Sequence, residues 1–467
     1  MCGRSGRTRL ARWAFVALAG CAGAAGGPPA APRLATFECD ATPPPGHPAC
    51  GGWIRPLESV EAPLLLKGVI LDDGAVRAVL AALDWCRLHG GAYDLFRRRI
   101  AEAAGVPETQ VALQCTHAHD APLADTRAQE LLDRVPRPPR HLDLAFLDEV
   151  TRRAARAVRE ARERLRPFTH VGFGRGRVEK FASTRRVRAP DGKILVRYSA
   201  VRDPALRDAP EGTIDPWLRT VTFFDGTRPL ARLHYYASHL QNNYGDGKAD
   251  PDVAGEFRAR FEKEEGVPHV YFAGCGGDLT VGKYSDAPPA ELRALLVDRL
   301  RAAAREAIAS TRVAPAERFV WASVEAVFAP RTEPEFGEER LRRVLADPGR
   351  PAVERLKAAL AVAWYERLRE RPAVDFGGLR IGPVLILNLP GEAFVEYQLY
   401  AQSLRPGAFV AVAACGEGGP GYICTDRAIA EGGYEPTMSL VGPPSEAIFK
   451  RAIADLVVRL DPSGSPR

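Results

Sequence analysis

The feature that most limits the fold is a set of short apolar runs, each cut off by a turn rich in polar residues or glycine. Residues 110–115 (QVALQC) run into Thr116-His117-Ala118-His119-Asp120, and residues 230–236 (LARLHYY) into Ala237-Ser238-His239. Residues 270–273 (VYFA) run into Gly274-Cys275-Gly276-Gly277-Asp278, and residues 384–389 (VLILNL) into Pro390-Gly391-Glu392. Runs of this length bounded by turn formers read as buried strands. Residues 409–414 read as one more. Two hairpins are signalled, one by Asp72-Asp73-Gly74 between residues 69–71 and 76–83, the other by Asp225-Gly226 between residues 217–224 and 230–236. Helices are expected over residues 93–104 and where Phe146, Val150, Ala154, Val158, Ala161 and Leu165 recur at helical spacing on an Arg/Glu-rich, solvated face. This mixture predicts an α/β fold, a mixed β-sheet sandwich with hairpins flanked by helices, rather than a purely doubly wound sheet. No long linker interrupts residues 35–462, so one large catalytic domain is expected there. The charged stretch 333–371 is expected to be a helical insertion at its surface.

The first 34 residues read differently. Arg4, Arg7, Arg9 and Arg12 precede an apolar stretch at 13–20 that is too short to span a bilayer. It ends Leu18-Ala19-Gly20-Cys21, which resembles a lipoprotein box, and a Gly/Pro/Ala tether follows. A plain secretory signal cut within residues 22–25 is the alternative. Both predict export, to the cell envelope or beyond, and the first adds membrane association through a lipidated Cys21. The formal net charge of +6 owes its excess to this leader, so no nucleic-acid partner is indicated. A hydrophobic fraction of 46% with 26% charged residues excludes wholesale disorder. Of the nine cysteines, the seven beyond Cys21 have no C-x-x-C spacing, which argues against a thiolate zinc site. Cys39 with Cys50, and Cys415 with Cys424, are the nearest in sequence, but spacing alone does not pair them.

The turns carry the chemistry. In an extended chain residues i and i+2 share a face, so His117 and His119 are expected to converge, and imidazoles suit zinc. Two ordinary loop histidines would look the same, and Pro122 stands where a metallo-β-lactamase-like motif would have its third histidine. His239 closes a strand, with His234 on the opposite face by parity. The glycine turn at 274–277 is expected to bring backbone N–H groups close to a ligand, or simply to be a tight turn. Glu392 is expected in the first turn of a helix, where complementing the helix dipole would account for it without a metal. Tyr422 and Tyr434 sit in glycine-tyrosine loops that, taken singly, read as packing elements.

The order and context of these elements resemble the catalytic domain of the neutral/alkaline, non-lysosomal ceramidase family. Residues 35–44, Ala35-Thr36-Phe37-Glu38-Cys39-Asp40-Ala41-Thr42-Pro43-Pro44, look like that family's opening D-x-T-P-P strand and turn. T-H-x-H, strand-His, G-D-x-S-like, P-G-E and G-Y-x-x-T elements follow in order to about residue 436. The resemblance implies zinc held by His117, His239, Glu392 and Tyr422. It gives His119, Arg185 and Tyr434 the substrate amide or its developing oxyanion, and gives Thr280 the place of the serine in G-D-x-S. Thr184 stands for the family's asparagine before the arginine, and Asp120-Ala121-Pro122 for its S-G-P. The chain ends soon after Leu460, so the family's C-terminal immunoglobulin-like domain is expected to be absent. The implied function is zinc-dependent hydrolysis of an N-acyl lipid amide, ceramide-like, to fatty acid and amine by zinc-activated water. A metal-dependent hydrolase of another N-acyl or ester substrate is the alternative. A non-catalytic exported lipoprotein that binds a small ligand is the second.

Overall fold

The apolar runs become the strands of two sheets in the computed structural model, which describes residues 31–462. The arginine-rich leader, Cys21 and most of the tether lie outside the described residues. In chain order the strands are β1 (Arg33–Asp40), β2 (Leu65–Asp72), β3 (Arg77–Leu83), β4 (Val111–Cys115), β5 (Arg166–Pro167), β6 (His170–Arg177) and β7 (Trp217–Asp225). They continue with β8 (Arg228–Tyr236), β9 (His269–Ala273), β10 (Arg312–Pro315), β11 (Phe319–Val327), β12 (Ala373–Ile381), β13 (Val384–Pro390) and β14 (Phe409–Gly416). One sheet has nine strands in the order β5-β1-β2-β3-β4-β14-β13-β12-β11, and the other has five, β9-β8-β7-β6-β10. Both are mixed. The pairs β3–β4, β13–β14 and β8–β9 run parallel, while both expected hairpins, β2–β3 and β7–β8, are antiparallel.

Alternation along the strands decides what lies between the sheets. Val69, Leu71 and Leu80 from the larger sheet meet Val221, Phe223 and Leu233 from the smaller in one apolar layer. Helices cover the outer faces, as the amphipathic spacing predicts. On the larger sheet lie α1 (Gly90–Ala104) and α2 (Leu144–Arg162), which bury Phe96, Ile100, Phe146 and Val150. On the smaller lie α3 (Asp252–Glu265) and α4 (Pro289–Ala309), through Phe257, Phe261, Leu296 and Leu300. The ends of these helices are set locally. Asp143 accepts hydrogen bonds from the N–H groups of Ala145 and Phe146 at the start of α2. Gly105, at φ 70°, ends α1 in the left-handed conformation that spares an L side chain.

Two helices fill most of the charged stretch. Strands β11 and β12 pair from Phe319↔Ile381 to Val327↔Ala373, and the chain between them leaves the sheet as α5 (Glu338–Ala346) and α6 (Ala352–Glu370). This pair buries Leu345, Leu356 and Val362 against Leu131 and Leu132. A last helix, α7 (Ser445–Leu460), packs Phe449, Ile453 and Leu456 on the far half of the larger sheet. The result is the α/β sandwich read from the sequence: two mixed sheets face to face with helices outside.

Candidate active site

Four segments leave one edge of the sandwich and turn toward a common point. His117 follows β4, His239 follows β8, Glu392 follows β13 and Tyr422 follows β14. Two local details, at His117 and Glu392, differ from expectation. His117 is not extended. It sits at φ 68°, a conformation uncommon for a side chain of this size. The turn there, not strand alternation, brings the rings of His117 and His119 to 4.8 Å between centroids. Glu392 is not in a helix. Glu392–Ala393 form a short strand parallel to Tyr422–Ile423, and the Glu392 N–H donates to the Gly421 carbonyl at 2.7 Å. The next helix begins only at Val395, so the dipole explanation for Glu392 falls away. The glycine turn serves neighbouring backbones. A Cβ on Gly276 would lie 2.8 Å from the Ser238 carbonyl carbon, and one on Gly277 would lie 2.3 Å from the Glu392 carbonyl oxygen. Glycine here lets the His239 and Glu392 segments close on each other.

The Nε2 atoms of His117 and His239 lie 3.0 Å apart, and Glu392 Oε2 lies 3.3 Å from the first and 3.4 Å from the second. The Tyr422 hydroxyl is 3.4 Å from His239 Nε2. The tautomers follow from the other ring nitrogens. His117 Nδ1–H donates to the Cys86 carbonyl at 2.9 Å, and His239 Nδ1–H to the Gly276 carbonyl at 2.6 Å. With Nδ1 protonated, a neutral ring presents its Nε2 lone pair toward the buried carboxylate, and both Glu392 oxygens lack a directed hydrogen bond. A cation satisfies such a cluster. Tetrahedral zinc with bonds of about 2.0–2.2 Å would place its ligand atoms roughly 3.3–3.5 Å apart, close to the spacings here. The ring nitrogens of His117, His119 and His239 also fall within 4.8 Å of one another. Glu392 Oε2 makes short contacts to the Nε2 atoms of both His117 and His239, while the buried His119 Nδ1 has no partner.

Charge around the cluster is arranged by two arginines. Arg87 forms a close ion pair with Glu392 and lies over the Tyr422 ring, 5.3 Å from its centroid. Burial alone would push the Glu392 carboxyl up; Arg87 and then His117 overcome it and hold it well below the usual carboxylate range. Arg185 donates from Nη1 to the Tyr422 hydroxyl at 3.0 Å and from Nη2 to the Leu279 carbonyl at 3.2 Å. It also lies 5.4 Å from the centroid of the Tyr434 ring. Burial, with Arg185 adding to it, pushes the His239 imidazole down to about 3. Burial, then His117 and His239, lowers His119 as well. The Tyr434 phenol is raised by burial.

A cavity of about 560 Å³ opens onto this cluster, walled by His119, Arg185, His239, Tyr244, Tyr422 and Tyr434 among others. His119 and Tyr434, expected to meet substrate, line it. Thr280 does not. Its hydroxyl is buried behind Ser199, 3.2 Å from that residue's Oγ and from the Gly282 N–H, and Ser199 is the one on the wall. His234 is in the other layer, as parity implied, bonded to His269 at 2.8 Å and to Thr220 at 2.9 Å. A second cavity of about 850 Å³ under α5 and α6 shares Trp53, Arg87 and Lys357 with the first. Arg87 had no signal in the sequence: it is one arginine among many, four residues past β3. The sulfur contact lies between Cys50 and Cys86, at 3.7 Å, and not within either pair near in sequence.

No family model matches the chain, and no curated protein matches it. Solved structures do. The crystal structure of neutral ceramidase from Pseudomonas aeruginosa aligns with 92% of this chain and 74% of its own, at 15% identity and a TM-score of 0.67. A ceramidase complexed with C2 aligns with 92% and 75% at 16% identity and the same TM-score of 0.67. The described chain thus has the fold of the neutral ceramidases.

Proposed function

We propose that this chain is a zinc-dependent amidohydrolase that cleaves the amide of an N-acyl lipid of the ceramide type, releasing fatty acid and amine. One observation carries the reading. Two imidazoles aim their Nε2 atoms at each other, 3.0 Å apart, beside a buried carboxylate. His117, His239, Glu392 and Tyr422 would hold the ion. The substrate class rests on the resemblance of the motifs and on the shared fold. We further propose that the chain is exported, on the strength of its leader, and tethered to a membrane if Cys21 is lipidated.

Bound zinc supplies Lewis acidity, polarising a carbonyl and lowering the pKa of water to about 7. The remaining work belongs to the protein. His119, kept neutral by its surroundings, has one nitrogen free to donate to the amide oxygen where negative charge develops. Arg185 keeps a fixed positive charge against the Tyr422 hydroxyl and stabilises the same charge. Tyr434, held protonated, presents a further donor from the cavity wall. Arg87 keeps Glu392 ionised and in place.

The test is metal content by elemental analysis, together with hydrolysis of a short-chain ceramide beside N-acyl amino acids and N-acetyl sugars. About one zinc per chain and selective ceramide cleavage are expected. Zinc with cleavage of another N-acyl compound would keep the chemistry and discard the lipid. A chain unable to bind zinc would discard both.

A further inference from the structure

Two cysteines on the cavity wall have no part in this chemistry. Cys50 and Cys86 are 2% and 1% exposed, and their sulfurs lie 3.7 Å apart. Their backbones are held in parallel. The Cys50 N–H donates to the Ala121 carbonyl and the Cys86 N–H to the Pro122 carbonyl, each at 2.8 Å. Consecutive carbonyls of the loop after His119 thus present the two thiols to each other. Cys50 also sits at φ 45°, ahead of two glycines that are themselves left-handed, in a turn whose conformation the neighbouring structure imposes.

We infer that Cys50 and Cys86 form a disulfide, a cross-link in the wall of the catalytic cavity that fixes the support of two metal ligands. A disulfide needs its sulfurs at about 2.05 Å, so bonding would close the gap between them by about 1.7 Å. The step is exchange with a donor disulfide. One cysteine thiolate attacks the donor and releases a thiol; the second thiolate displaces the remaining donor thiol. The new S–S bond replaces two S–H bonds, and the two protons and two electrons leave on the released thiols. The cross-link closes a stretch of 36 residues. Its consequence is local, because the Cys86 carbonyl is the acceptor for His117 Nδ1–H and the next residue, Arg87, is the partner of Glu392. Fixing Cys86 fixes both. The geometry of the thiols is independent of the substrate; only the effect on zinc rests on the function proposed above.

The experiment uses the full zinc-loaded chain. It is treated with oxidised glutathione, alkylated in denaturant, digested and mapped by mass spectrometry. A cross-linked peptide pair containing Cys50 and Cys86 is expected. It should vanish after dithiothreitol and in Cys50→Ser, and persist in Cys39→Ser, whose thiol lies ahead of the closed stretch. Zinc loss to EDTA is then timed. Reduction should speed it by roughly tenfold, the scale on which a ligand's supporting partners act on metal affinity. Cys50→Ser should lose zinc at the fast rate with or without reductant. Both thiols fully alkylated after oxidation, or a zinc-loss rate that reduction leaves unchanged, overturns the inference. A chain that cannot bind zinc fails the proposed function instead, and the peptide map still decides the cross-link.

Discussion

The guanidinium of Arg258 closes on both oxygens of Asp84, Nη1 to Oδ1 at 3.0 Å and Nη2 to Oδ2 at 2.7 Å, with both residues buried. Asp84 also accepts from the Leu65 N–H at 2.9 Å and the Thr116 hydroxyl at 3.3 Å. The pair ties the helix that follows His239 to the end of β3, where Asp84 also holds Thr116, the residue before His117. Breaking a buried pair by removing one partner costs about 3–5 kcal/mol. Arg258→Met is expected to lower unfolding free energy by about that much in urea titration. Adding Asp84→Asn should recover a large part of it. A loss under about 1 kcal/mol for the single variant would mean that the pair bears little of the strain of assembling the site.

Ligands and substrate-facing groups should separate cleanly. His117→Ala and Glu392→Gln are expected to lose zinc and activity together. His119→Ala should keep about one zinc per chain while kcat falls by about 10²–10³, the usual effect of removing one oxyanion donor. Metal analysis of each variant beside its kinetics decides this. Full zinc occupancy in His117→Ala would remove that residue from the ligand set.

Arg87 tests the charge arrangement. In Arg87→Met a buried carboxylate loses its cation, and the metal-free chain should be destabilised by about 3–5 kcal/mol. Zinc, itself a cation beside Glu392, should restore more stability to this variant than to the parent chain. Melting curves with zinc and with EDTA check it. Equal gains in both chains would show that Arg87 and the ion do not share Glu392.

His141 gives a pH signature away from the cluster. Its Nδ1–H donates to the Gly51 carbonyl at 3.0 Å, its Nε2 accepts from the Asp125 N–H at 3.2 Å, and burial pushes it down to about 4. The unfolded chain protonates this ring below about 6.5 while the folded one does not. Its contribution is therefore complete above about pH 6.5 and is lost as pH falls toward 4, about 3 kcal/mol in all. His141→Gln should be less stable at pH 7.5 and should flatten the fall in stability between pH 6.5 and 4. An unchanged acid limb would locate that sensitivity elsewhere.

Much of this was legible because buried strands announce themselves. β4, β8, β9, β13 and β14 were visible as apolar runs, and the helix through Phe146 and Val150 by its spacing. The site was less so. That His117 and His119 would both face one point was read from strand geometry, yet the left-handed backbone at His117 does the work, and no residue type signals that. Glu392 looked like a helix start because its pairing with the Tyr422 segment joins residues thirty apart. Arg87 was silent because its partner is defined only in three dimensions. Thr280 matched a motif position but lies behind Ser199, a displacement no spacing rule records.

The four groups proposed to hold the metal come from the ends of four strands spread through both sheets, with Tyr422 late in the chain. No segment made early in synthesis contains a complete binding site. An ion held there as proposed would report late folding: a chain still missing its last strands lacks part of the ligand set, so full loading would follow completion of the fold rather than seed it.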